Sequence, residues 1–171
     1  SIIVAHMTHA QYLELRNIRL YLEGLAAEAA TPKICAEDID LMKISHQELM
    51  EAEESGRWAD AVRANWQFHN RLYEAAQMPE LLHILGDIWM RNGPLLNYLY
   101  PHARPTYDGG HEHFVILDML KRRDASGVKN SVQSDMIQGG AKLLQFLESI
   151  GDTRNMATEP ERASRARRKP K

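Results

Sequence analysis

Cysteine is almost missing. Cys35 is the single one in 171 residues, so no disulfide can close within the chain, and such usage fits a reducing cytoplasm. Long apolar runs are missing as well: none approaches the roughly 20 residues needed to cross a bilayer. Ser1-Ile2-Ile3-Val4 carries no secretory signal. No segment alternates apolar and polar residues strictly enough for a strand. There is no Gly-rich phosphate loop, nucleophile elbow or paired-Cys zinc motif. Cys35 itself has no base nearby in the sequence, which argues against a catalytic thiol. A cytoplasmic chain with no membrane partner is expected.

What is present suits one globular domain. The chain is 44% hydrophobic and 26% charged, and its length allows a real core. Charge is uneven. Residues 159–171 hold six basic residues and two acids, a net +4. With −2 overall, the remainder carries −6, a poor platform for a phosphate backbone. Pro160, Pro170 and the lack of large apolar residues make residues 151–171 a solvated, disordered basic tail in this reading.

Helical signals dominate the rest. Thr8 can cap a helix over His9–Ala30 that closes at Thr31-Pro32. A second helix is expected over Ala36–Glu54 and a third over Arg57–Gln77. A fourth starts at Pro79, a favourable first position, and runs to Arg91. Asn92-Gly93-Pro94 should interrupt it before Leu95–Tyr100 resumes. Pro101–Gly110 reads as a loop. A fifth helix covers His111–Arg122, and Asp124 caps a sixth that reaches Ile150, with Gly139-Gly140 marking a kink or close packing. The short links favour antiparallel neighbours. The fold class is all-α: a bundle of six or seven helices over residues 6–150.

Several polar residues fall on apolar faces. On the third helix, Trp58, Ala61, Val62, Ala64, Phe68, Leu72, Ala75 and Ala76 share one face, and Asn65 and His69 sit at its centre, four apart. On the fifth helix, His113 falls among Phe114, Ile116, Leu117 and Leu120. On the sixth, Asp135 stands on the shoulder of the face made by Val128, Val132, Gly139, Leu143 and Phe146. A lone His on such a face is usually a core residue satisfied by one hydrogen bond. Four donors from three helices instead suggest a shared ion or ligand, because buried polar groups are costly unless paired. His46 has no companion donor that the sequence places beside it. His111 is two residues from His113, a spacing that turns side chains to different helix faces. On the first helix, Arg19 projects from the edge of a face made by Tyr12, Leu15, Ile18, Leu22, Leu25, Ala26 and Ala29. It either snorkels or pairs with Glu23, or it offers a fork to a ligand carboxylate. Arg91 is a second candidate for that task.

Four stretches resemble the C-terminal effector domain of GntR-type bacterial transcription regulators, the FCD class of the FadR subfamily. They are Arg19-Leu20-Tyr21-Leu22-Glu23; Asn65-x3-His69; Glu112-His113-x-x-Ile116-Leu117 with Arg123-Asp124; and the next helix, with Asp135 twenty-two positions after His113. The resemblance covers about Val4 to Leu147. It implies a helical bundle with a central divalent metal and a small carboxylate beside it. It also implies a DNA-reading winged helix-turn-helix before this domain, and dimerisation.

By that resemblance, Asn65, His69, His113 and Asp135 hold the metal, zinc ahead of manganese, iron or nickel. Arg19 and Arg91 orient an organic-acid effector. Two departures stand out: Asn65 replaces the usual Asp, and Asp135 replaces the usual last His. Two oxygen and two nitrogen donors make a somewhat harder site. Ser1–Ala5 resembles the end of the wing strand, so DNA contact is expected only through a domain not in this chain. The expected function is effector sensing and homodimerisation for a metabolite-responsive regulator. The alternatives are a helical metalloenzyme acting on a carboxylate and a metal-free dimerisation bundle.

Overall fold

The computed structural model describes residues 7–100, 103–105 and 109–149, without the side chains of 94, 95 and 97–99. The expectations for Ser1–Ala5 and for the basic tail lie outside these residues. Six helices follow in order: α1 (His9–Ala30), α2 (Ala36–Glu54), α3 (Trp58–Glu74), α4 (Pro79–Leu99), α5 (Glu112–Lys121) and α6 (Ala125–Gly139). Residues 141–149 are helical again after Gly140. Among the described residues there is no strand, and no helix is long and apolar enough to cross a membrane.

Local chemistry sets the helix ends. Thr8 and Gln11 form a capping box: Gln11 N–H donates to Thr8 Oγ1 at 3.2 Å, and Thr8 N–H donates to Gln11 Oε1 at 2.9 Å. Asp124 accepts from Gly127 N–H at 2.9 Å and starts α6. Gly56 (φ 67°) reverses the chain between α2 and α3, so the two pack as a hairpin. Arg123 (φ 57°) occupies the left-handed position between α5 and α6. Its guanidinium donates to the carbonyls of Thr31 and Ile34 at 2.8 and 2.6 Å. That fastens the α5–α6 turn to the α1–α2 turn.

Three expectations for α4, α5 and α6 need correction. α4 runs unbroken through Asn92-Gly93-Pro94. A proline disfavours helix in the preceding residue by clashing with its Cβ, and Gly93 has none. α6 ends at Gly139 instead of reaching Ile150. Phe114 lies outside the inner face of α5 at 59% exposed, because the buried stripe is His113, Ile116, Leu117 and Leu120.

α1 packs on α6, α3 and α4; α5 bridges α6 and α2. Ala26, Ala27 and Ala30 let α1 approach closely, in a core with Phe68, Leu72, Tyr73, Leu85, Ile116, Leu120 and Val132. The buried stripe of α1 runs through Arg19 and Glu23. Arg19 is therefore interior, not at the edge as periodicity suggested, while Ile18 and Leu25 face outward.

The residue at the α6 break is closely packed. A Cβ on Gly140 would stand 2.5 Å from Tyr12 Oη and 2.9 Å from the Met136 carbonyl oxygen. Gly140→Ala is expected to cost about 1–3 kcal/mol in urea unfolding, with part recovered on adding Tyr12→Phe. An unchanged unfolding midpoint would mean this close approach does not position the helices.

Candidate functional site

Asp135, His69 and His113 meet where α3, α5 and α6 converge, and all three are buried. His69 Nε2 lies 3.0 Å from Asp135 Oδ2 and 3.3 Å from His113 Nε2. His113 Nε2 lies 3.7 Å from the same Asp135 oxygen. Donors about 2.0–2.1 Å from a tetrahedral zinc stand roughly 3.3 Å apart. The three atoms therefore have the separation, and the imidazole–carboxylate chemistry, that a divalent cation takes. Without one, His69 donates to Asp135 and the pair satisfies itself. Asn65 is half-buried one turn before His69 and lines the same cavity.

The His113 ring is held in place. Phe68 stacks on it at 3.6 Å with 5° between planes. His113 Nδ1 lies 3.1 Å from His46 Nδ1. One proton between those nitrogens satisfies the contact. With it on His113, the Nε2 of that ring keeps its lone pair toward His69 and Asp135.

His46 and His111 are functional neighbours that sequence reasoning left out. His46 belongs to a buried stripe on α2 with Ile39, Met42 and Leu49. Its companion sits on α5, far along the chain. His111 is the N-cap of α5, not a helical residue, and its Nδ1 accepts from His113 N–H at 3.1 Å. The rule that i and i+2 residues diverge on a helix does not apply there. The two rings are 4.1 Å apart, and His111 Nδ1 lies 3.9 Å from Asp135 Oδ1. His46, His111 and His113 form a second donor group that could hold a metal, sharing His113 with the first. Burial holds these imidazoles neutral. It lowers His113 well below the usual range, helped by the neighbouring rings. It lowers His46 and pushes His111 down to about 4 against the pull of Asp135.

A second polar limb starts from His69. Tyr73 Oη lies 3.4 Å from His69 Nδ1 and donates to Glu23 Oε2 at 2.6 Å. Glu23 Oε1 accepts from Arg19 Nε at 2.5 Å. Burial opposes the Arg19 charge, and Glu23 more than offsets it, so its pKa stays above the usual value. Burial, then Glu23, raises the Tyr73 hydroxyl well above 10, leaving it a donor. The Arg19 guanidinium also lies over the Trp89 ring, 4.8 Å from its centroid.

Both limbs border one cavity of about 80 Å³, lined among others by Asn65, His69, Asp135, Arg19, Trp89 and Asn92. Arg19 pairs with Glu23, as one of its sequence readings had it, and it also lines the cavity. Arg91 is exposed and does not line it. Because α4 continues as a helix, the next residue, Asn92, turns inward instead and is 1% exposed.

A family model described as the FCD domain matches residues 14–137. The HTH-type transcriptional regulator McbR of Escherichia coli (strain K12) is 28% identical over 134 residues, covering 77% of this chain and 61% of its own length. The chain thus spans less than two thirds of that relative. The solved structure of E. coli McbR/YncC superposes with a TM-score of 0.74 at 27% identity, over 82% of this chain and 71% of that one. A GntR family member from Pseudomonas syringae pv. tomato str. DC3000 superposes with a TM-score of 0.70 at 18% identity, over 82% and 59%. That last likeness is one of fold alone.

The depressed imidazoles set a pH dependence. In the unfolded chain His46, His111 and His113 take up protons near pH 6.5, while the folded site resists them. The unfolded state then binds more protons, so stability falls as pH drops below about 6.5 and keeps falling towards 4. Each ring contributes up to about 1.4 kcal/mol per pH unit. Urea midpoints of the chelator-treated chain should fall through this window, and His111→Gln should flatten the slope. An unchanged slope in His111→Gln would show that this ring does not resist protonation in the fold.

Proposed function

The chain belongs to the FCD domain family, and from that premise we propose that it is the effector-sensing domain of a metabolite-responsive transcription regulator. The observation that carries this reading is the meeting of His69, His113 and Asp135 at metal-compatible separations, beside a cavity that also presents Arg19. His69, His113 and Asp135, with Asn65 on the same cavity wall, hold a divalent metal, zinc ahead of manganese, iron or nickel. A bound ion supplies fixed positive charge to an acid in the cavity. Arg19 presents its guanidinium as a second, directional anchor for the carboxylate. Arg91, exposed, is not assigned this role.

Sensing follows from where these groups sit. Arg19 comes from α1, Trp89 and Asn92 from α4, His69 from α3, His113 from α5 and Asp135 from α6. An acid held among them favours the helix arrangement that makes all the contacts at once. A difference of about 1–3 kcal/mol between arrangements gives useful coupling to a DNA-binding domain. McbR is named an HTH-type regulator, and DNA contact through such a domain is proposed here too. A homodimer belongs to this reading as well; Ile84 and Met90 are exposed apolar residues of α4.

The hydrogen-bonded His69–Asp135 pair supports one competing reading, a metal-free bundle in which these groups serve structure. Metal content decides between them, measured by mass spectrometry on protein purified without chelator or metal-affinity resin. Near one equivalent is expected, lost in His69→Ala and in His113→Ala. No uptake even after reloading with zinc, manganese and nickel would leave the metal-free bundle. Turnover of a bound carboxylate by the loaded chain would instead support a metalloenzyme.

A further inference from the structure

His113 faces two donor groups with its two ring nitrogens. Its Nε2 lies toward His69 and Asp135, at 3.3 and 3.7 Å. Its Nδ1 lies 3.1 Å from His46 Nδ1, close to the roughly 3.3 Å between two nitrogens on one tetrahedral ion. His111 closes the second group: one nitrogen from each of His46, His111 and His113 lies within 4.8 Å of the others. The ring centroids of His46 and His113 stand 5.0 and 4.1 Å from that of His111. His111 also lines the cavity, so an ion that enters there meets this ring first.

The two groups differ in what they offer an ion. His69, His113 and Asp135 give two nitrogens and a charged oxygen. His46, His111 and His113 give three nitrogens and no charge. Imidazoles suit copper, nickel and zinc, whereas a carboxylate suits manganese. The amino end of α5 opposes a cation near His111 and His113. Carboxylates act the other way. Burial lowers the His46 pKa, and the charges of Asp135 and Glu53 work against it. Asp135 Oδ1 also lies 3.9 Å from His111 Nδ1, so the same carboxylate stands close to both groups.

A neutral imidazole carries one proton and one lone pair, and this makes the groups exclusive. An ion on His113 Nε2 puts the proton of that ring on Nδ1, where it takes up the lone pair of His46 Nδ1. An ion between the two Nδ1 atoms puts the proton on His113 Nε2, facing Asp135 Oδ2. His69 donates to that same oxygen, so two N–H groups then fill the first group. We propose that His46, His111 and His113 form a second metal seat, which prefers copper(II) to manganese(II) and fills only when the His69–His113–Asp135 group is empty. This seat ties α2 to α5, whereas the first group ties α3 and α6 to α5. The two kinds of ion therefore hold different helices together. The exclusivity rests on the metal reading of the first group given above; the seat itself does not.

Copper(II) and manganese(II) titrations of the metal-free 171-residue chain, followed by electron paramagnetic resonance, test this. The copper signal should show three imidazole nitrogens. His46→Gln and His111→Gln should each weaken copper by about tenfold or more, since even a supporting partner of a metal ligand is worth that much. Both should leave manganese binding unchanged; the glutamine at 46 can still accept from His113. His69→Gln should abolish manganese binding and leave copper unchanged. Each variant shows that it is folded by the ion it keeps. One equivalent of copper should release bound manganese, seen as the return of the free-ion signal. A chain that holds both ions at once would overturn the exclusivity. Copper bound equally well in His46→Gln and His111→Gln, as at a surface imidazole, would overturn the seat. Copper weakened in His69→Gln would place it in the first group and overturn the seat too. A three-nitrogen copper signal with no uptake of manganese or zinc would remove the first group as a metal site, and the exclusivity with it, and leave the seat standing.

Discussion

Asp135 is 6% exposed, and a carboxylate taken that far from water costs several kcal/mol unless donors or positive charge meet it. One oxygen meets His69 at 3.0 Å and lies 3.7 Å from His113; the other lies 3.9 Å from His111. His69 must then stay where Asp135 needs its proton, while the rings farther off have supports of their own. Phe68 stacks on His113, His46 meets the far nitrogen of that ring, and Tyr73 lies behind His69. The bundle has solved the problem of one buried charge by recruiting α2, α3 and α5 around α6. A buried acid among neutral imidazoles also suits a cation, since His113 Nε2 can keep its lone pair toward Asp135 and the His69 proton can move from Nε2 to Nδ1.

The same constraint reaches α1 by another route. Tyr73 cannot donate to both His69 and Glu23 with its single proton. The 2.6 Å bond to Glu23 and the 3.4 Å approach to His69 show which one holds it. If His69 Nε2 turns from Asp135 to an ion, its proton moves to Nδ1, and that nitrogen becomes a donor toward the Tyr73 oxygen. Tyr73 then accepts from one side and donates to Glu23 on the other. Glu23 in turn fixes Arg19. The order of hydrogen bonds would then run from His69 through Tyr73 and Glu23 to the Arg19 guanidinium, the group that the proposed function gives to an anion.

Much of this was legible in the sequence, and the misses have physical reasons. All six helices follow from caps and punctuation such as Thr8, Pro79 and Asp124. His69, His113 and Asp135 stood out because helical periodicity set them against apolar neighbours. His46 was equally periodic on α2, but its partner is 67 residues away, and no local pattern announces a contact between helices. His111 escaped because a rule for helical residues was applied to a cap. Arg91 was singled out for its charge, ahead of an expected break at Asn92-Gly93-Pro94; it is exposed, and Asn92 beside it is the buried residue. Gly93, without a Cβ, lightens one of the clashes a proline makes with the residue before it, and in the continuous α4 Asn92 is a buried helical position. Arg19 looked marginal because the apolar residues of α1 were counted and the polar ones were not. The true buried stripe includes Arg19 and Glu23 as a pair.

The two substitutions in the metal-binding pattern belong together. With Asn65 neutral, the fixed negative charge beside the imidazoles comes from α6 through Asp135, and α6 packs directly on α1 and α5. Charge drawn into the site from α6 therefore acts on the helix that contacts the Arg19 element. Gly24 and Gly140 make that contact close: a Cβ on Gly24 would stand 2.9 Å from Gln133 on α6, and one on Gly140 would stand 2.5 Å from Tyr12 on α1. Tightly packed helices shift as bodies and do not deform smoothly. Under the proposed function, a change in what Asp135 and Arg19 each hold would be passed on as a movement of α6 against α1.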